Sequence, residues 1–257
     1  MNRLLLGLLI ALTFGMFWTS CDREIEEYPD VEYAYFPLET GKYITYQVDS
    51  VNYDEFNCTV DTTSIQLKEE ITTTDVDGEG NTYYRTERYY RNSSNDEWQF
   101  SNVWVSQVVD YQAHRVEDNQ RYIKLVFPVV DQKQWDGIIY IRRDTLVAVK
   151  GGAIDFYKDW DEFKYTSVDE QEIINGKVYE EVLTVEQVDK INNIERRYSI
   201  EKYAKGIGLI SKEMWILDTQ CRNNCKGTGN LATCINTPWE YKAERGFILK
   251  QTILSHN

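Results

Sequence analysis

Residues 62–92 read TTSIQLKEEITTTDVDGEGNTYYRTERYYRN. Ile65, Leu67 and Ile71 recur at even spacing, and Glu69 interrupts the same face. A period of two puts alternate side chains on opposite faces of a strand, so this segment is read as one. Asp77-Gly78 is a turn signal, and NTYYRTERYYRN returns as the second arm of a hairpin. Along that arm Tyr84 and Tyr90 share a side with Thr86 and Arg88, whereas Tyr83 and Tyr89 share the other with Arg85 and Glu87.

The same texture runs outward in both directions. Upstream, YFPLETGKYITYQVDSVNYD places a strand of Tyr, Ile, Thr and Val after Gly41. Downstream, Trp98, Phe100 and Trp104 fall on one parity of EWQFSNVWV, as do Ile123, Leu125 and Phe127 of RYIKLVFPV before Pro128. Asn175-Gly176 between QEII and KVYEEVLTVEQV has the composition of a type I′ hairpin turn. Lys205-Gly206 links RRYSIEKYA to IGLISKEMWIL, and GFILKQTIL is the last strand. About ten to twelve strands at this spacing predict an all-β fold, an antiparallel sandwich or a curled barrel-like sheet. At most one short helix is expected, over residues 155–165, and residues 35–257 read as a single β-rich domain.

The first 20 residues, MNRLLLGLLIALTFGMFWTS, have one charge, Arg3, ahead of an apolar block, the layout of a secretory signal peptide. Residues 21–34 then read as an acidic tether, with Asp22, Glu24, Glu26 and Glu27 directly after Cys21. The formal net charge of −14 disfavours nucleic acid and anionic headgroups as partners of the body. Cys58, Cys221, Cys225 and Cys234 are an even set, which in an exported chain favours disulfides over a zinc site. A bond from Cys58 to one of the other three would bring the loop after the first strand to the loop before the last one. First and last strands would then be antiparallel neighbours, as in a closed meander.

Local motifs for chemistry are scarce. His114 and His256 stand in no metal-binding spacing, and no nucleophile elbow, phosphate loop or dinucleotide fingerprint occurs. His114 is read as a half-exposed strand residue. DVDGEGN, residues 75–81, has Asp75, Asp77 and Glu79 where a calcium loop begins, but Thr86 stands where its closing Glu would be, which leaves a solvated hairpin turn. No metal, cofactor or catalytic residue is assigned. Tyr83, Tyr84, Tyr89 and Tyr90 are the candidate ligand-stacking set, because an aromatic face matches the apolar face of a sugar ring; ordinary cross-strand packing competes with that reading.

Trp18-Thr19-Ser20-Cys21 resembles the lipobox of bacterial lipoproteins, with Trp18 in place of the usual Leu. The resemblance implies cleavage after Ser20 and lipid on Cys21, hence an outer-membrane anchor. The acidic run after the cysteine resembles the surface-display signal of Bacteroidota lipoproteins, though Arg23 and Ile25 break its pattern. FPLETGKYITYQVDS, KQWDG (residues 133–137) and YAKGIGLISKE together resemble a group of Bacteroidota lipoproteins with no activity to carry over. These features predict a membrane-anchored, non-catalytic binding or interaction protein of the envelope, with a glycan or protein partner. The alternative is a carrier of lipid or another apolar ligand in a curled sheet, in which Ile123, Leu125 and Phe127 would line a cavity.

Overall fold

In a computed structural model of the chain, the described residues are 32–221 and 231–257. After a 3-10 turn, Tyr33–Tyr35, the chain forms β1 (Tyr43–Asp54), β2 (Thr59–Val76), β3 (Thr82–Arg91), β4 (Gln99–Val109), β5 (Gln112–Glu117) and β6 (Gln120–Val126). It continues through β7 (Gln134–Trp135), β8 (Leu146–Val149), β9 (Gly152–Asp155), β10 (Phe163–Ile174), β11 (Lys177–Ile191), β12 (Glu195–Ala204) and β13 (Gly208–Asp218). Helices α1 (Leu231–Ile235) and α2 (Trp239–Lys242) precede β14 (Arg245–His256).

Twelve strands make one antiparallel sheet, in the order β6-β5-β4-β3-β2-β1-β14-β13-β12-β11-β10-β7, and β8-β9 is a separate hairpin. The curled alternative is therefore the observed one. First and last strands are antiparallel neighbours, with Tyr46 opposite Ile253 and Val51 opposite Ile248. The sheet curls until its two edges meet. Ile123 of β6 donates its N–H to the Gly137 carbonyl at 2.9 Å, and its own carbonyl accepts from Trp135 Nε1 at 2.8 Å. The Tyr165 hydroxyl of β10 donates to the Val126 carbonyl and accepts from the Val126 N–H, both at 2.8 Å. These bonds satisfy edge groups that an open sheet would leave for another chain.

Because pairing preserves the pleat, inward positions can be followed from strand to strand. Ile44, Tyr46 and Val48 point inward and pack with Leu67, Ile210 and Ile253. On the outer face Val51, Tyr53, Trp215, Leu217 and Ile248 form a second cluster, covered by Trp239 and Ala243 at α2. Elsewhere the outer face carries charge, as in the pairs Lys68–Glu70 (2.6 Å), Arg85–Glu87 (3.5 Å) and Lys250–Glu213 (3.2 Å).

Aromatic side chains plug one end of the barrel. Trp135, Phe163, Trp160, Tyr157 and Phe156 follow one another at ring spacings of 4.7–6.0 Å, and Phe156 reaches Phe247 of β14 at 6.1 Å. Two expectations change here. Residues 155–165 are not a helix: Phe156, Tyr157 and Trp160 lie on a turn with Asp159 at φ +63°, and Phe163 already begins β10. The short helices are instead α1 and α2, beside the Cys221–Cys234 disulfide. The Asn175-Gly176 turn has φ of +52° and +77°, the left-handed pair expected of type I′.

Gly137, in the KQWDG stretch, is required by the plug, because a Cβ there would lie 2.2 Å from the ring of Phe163. Phe163 is buried and cannot withdraw. Gly137→Ala is expected to destabilise by about 1–3 kcal/mol in urea unfolding. Gly78→Ala, where a Cβ meets nothing within 4 Å, should change stability by less than about 0.5 kcal/mol. Equal effects of the two substitutions would refute the packed plug.

Candidate functional site

Past the aromatic plug, the barrel interior is ionic. Lys124 of β6 is buried and gives its ammonium to Glu117 Oε1 at 2.8 Å and to Glu201 Oε1 of β12 at 2.9 Å. Lys212 of β13 reaches the same Glu201 oxygen at 3.1 Å, and the Tyr203 hydroxyl donates to Glu201 Oε2 at 2.6 Å. In the other half of the sheet, Glu69 accepts from Arg88 Nε at 3.1 Å and Arg115 Nη2 at 2.6 Å. Arg88 and Arg115 in turn lie over the Trp104 ring, at 3.5 and 5.0 Å. Burial alone would raise the pKa of Glu69, Glu117 and Glu201, but the adjacent cations outweigh it and hold all three below the ordinary carboxylate value.

A cavity of about 70 Å³ opens beside this network, at the barrel end away from the aromatic plug. Its outer wall is the strap that follows the 3-10 turn, Phe36, Pro37 and Leu38, facing Ile44, Ile71, Ile207 and Leu209. Glu69, Arg115, Thr86, Ser106, Tyr46 and Tyr203 supply polar groups deeper in. The strap is fixed from several sides. Gly206 N donates to the Ala34 carbonyl at 2.7 Å, Val129 N donates to Glu32 Oε2 at 3.0 Å, and the buried Tyr35 hydroxyl donates to Asp169. Gly208, at φ +100°, leaves only 3.4 Å between Pro37 and the position of a Cβ.

Two polar groups on the floor stand out. Thr86 and Ser106 line the cavity and are 3% and 2% exposed as whole residues. Beside them, Arg115 Nε is buried without an acceptor. Such an atom is rare in folded interiors and marks either a wet site or a ligand site.

A second, open cleft of about 480 Å³ is lined by Asp77, Glu79, Asp110, Gln112, His114 and Arg121. His114 is on a strand as expected, but it is 4% exposed and not half-exposed. Its Nε2 is 3.0 Å from Gln112 Oε1, which fixes the proton there, while Nδ1 is enclosed without a partner. Burial, then the nearby Arg121, lowers its pKa and keeps the ring neutral at neutral pH. In DVDGEGN the Asp77 carboxylate accepts the backbone N–H groups of Glu79 and Asn81, both at 2.9 Å, so it closes the hairpin turn.

The tyrosine set divides as the pleat requires. Tyr84 and Tyr90 face inward with Thr86 and Arg88, and Tyr90 donates to Gln99 Oε1 at 2.9 Å. Tyr83 and Tyr89 face outward, where Tyr89 meets Phe100 edge-on at 5.9 Å and its hydroxyl donates to Glu87. The four are thus not one stacking platform. Ile123, Leu125 and Phe127 are buried, and none of them lines either cavity. Cys58 is disulfide-bonded, and Cys221 pairs with Cys234. Cys21 and Cys225, with the signal segment and most of the tether, lie outside the described residues.

Geometry defines a class: a nearly closed antiparallel barrel with a charged interior and a pocket under a strap at one end. No family model matches the chain, and no curated protein does. A solved structure from Bacteroides fragilis, described as a candidate exported protein with a YmcC-like fold, is similar over 86% of this chain and 97% of its own, at 10% identity and a TM-score of 0.36.

Carboxylates held below their unfolded pKa contribute stability that is present above that value and lost as pH falls through the folded one. With Glu69, Glu117 and Glu201 all depressed, the urea midpoint should be level from neutral pH down to about 5 and fall steadily below about 4.5. A midpoint unchanged at pH 3 would show that these acids carry no such stability.

Proposed function

We propose that this protein is an exported, non-catalytic envelope domain that binds a small amphipathic ligand in the pocket beneath the Phe36–Leu38 strap. The observation that supports it most is the pairing of an apolar wall with polar side chains at the floor, Thr86, Ser106 and Arg115, whose Nε is buried without an acceptor. Export is supported by the Cys221–Cys234 disulfide together with bonded Cys58, since such bonds persist in oxidising compartments. A lipid on Cys21 would hold the domain at the outer membrane, where the acidic tether and charged outer face keep the body in water.

This reading is nearer to a carrier than to a flat interaction surface, but of a restricted kind. The interior is filled by the ionic network and the aromatic plug, so a long acyl chain has no channel to enter. The ligand is therefore short or projects from the mouth. A glycan platform built on Tyr83, Tyr84, Tyr89 and Tyr90 would need those rings on one face, and the pleat divides them.

N-phenyl-1-naphthylamine, a neutral apolar fluorophore, tests the pocket. The wild type should bind it and enhance its emission. Ile207→Trp, which fills the half-buried rim, should weaken binding at least about tenfold with an unchanged melting curve. Equal binding by the variant would place the apolar site elsewhere.

A further inference from the structure

We infer that the ligand of this pocket is a short-chain carboxylate, its acid group seated on Thr86, Ser106 and Arg115 and its chain against the strap. This rests on the pocket being a binding site and adds the chemical class of what it takes. Charge is the first ground. Among the side chains that line the cavity, Lys42 and Arg115 are cationic and Glu69 is anionic. In the network behind it, Arg88, Arg115, Lys124 and Lys212 face Glu69, Glu117 and Glu201, four cations to three carboxylates. These seven side chains therefore carry one positive charge more than they neutralise among themselves. The net charge of −14 belongs to the whole chain, and exposed charges act weakly beyond a screening length of about 8 Å. Buried ones next to the cavity are screened far less, so the local sign governs.

Donor inventory is the second ground. A carboxylate only accepts, and it takes several donors at once. Thr86 and Ser106 each bring an O–H donor to the cavity they line, and Arg115 has a spare N–H at Nε beside the one it gives Glu69. An ammonium head could use the hydroxyl oxygens as acceptors but would lie against the Arg115 guanidinium, and the one side-chain carboxylate of the lining, Glu69, is already held by two guanidinium groups. A neutral alcohol would satisfy the hydroxyls and leave the charge excess unanswered. About 70 Å³ is room for roughly five waters, hence for a carboxylate and a few methylenes. The remaining chain runs past Ile44, Ile207, Phe36 and Leu38 at the half-open mouth.

Titration calorimetry on the full domain with hexanoate, hexanol and hexylamine at neutral pH separates these cases. Hexanoate should bind at least about tenfold more tightly than hexanol, and hexylamine should give no measurable heat. Thr86→Val keeps the shape and strand propensity while removing one hydroxyl. Alone it should weaken hexanoate about tenfold, and with Ser106→Ala it should abolish the preference over hexanol. Both variants must retain the wild-type affinity for N-phenyl-1-naphthylamine, which shows the pocket intact. Hexanol or hexylamine binding as well as hexanoate overturns the carboxylate assignment and leaves the pocket standing. The same holds if none of the three binds while the fluorophore does. Should neither the fluorophore nor the three ligands bind, the assignment and the pocket reading fall together.

Discussion

Glu201 sits between Lys124 and Lys212 inside the barrel, and the closure of the sheet turns on that contact. Lys124 is on β6, one edge of the sheet, and Glu201 is on β12, in the other half. Backbone bonds at the seam are few, because β6 and β7 meet through Ile123, Gly137 and two side chains and not through a full ladder. A buried charge cannot be left alone, as separating the pair would strand an ammonium and a carboxylate in a medium that solvates neither. The network thus makes the open sheet expensive more than it makes the closed one cheap. It also sets the edge of the cavity: Tyr203 is held by Glu201 and Arg115 by Glu69, and both line it.

The barrel is accordingly graded along its length. Aromatic rings close one end, ions occupy the middle, and the strap covers a pocket at the other. Each layer follows from which residue types the inward parity supplies. In β12 the inward series is Arg197, Ser199, Glu201 and Tyr203, all buried. In β2 it is Leu67, Glu69 and Ile71. An inward charge in one strand needs its answer from another strand, so these positions are coupled across long sequence separations.

That coupling explains what the sequence could and could not convey. Strand periodicity and the Asn175-Gly176 turn are local, and they led to an antiparallel all-β fold with a curled sheet as one of its two forms; the first and last strands are paired in it. Glu69 was visible as a break in an apolar face, and with Thr86 and Arg88 on one parity it was the available hint of a polar interior. Nothing local pairs Glu69 with Arg115, or Lys124 with Glu201, because partner choice is fixed only when the sheet closes. Tyr157, Trp160 and Phe163 have helical spacing, yet they are needed as a plug, and tertiary packing overrode the local pattern. His114 looked half-exposed for the same reason: it is buried, and the ring it meets, Tyr140 at 5.9 Å, comes from farther along the chain.

A double-mutant cycle on Lys124→Met and Glu201→Gln, read by urea unfolding at neutral pH, tests the cross-barrel contact most directly. Each single variant should be strongly destabilised and the double variant should recover, with a coupling of about 2 kcal/mol or more. Additive effects, with coupling within about 0.5 kcal/mol of zero, would contradict it and leave barrel closure to the seam bonds and aromatic packing alone.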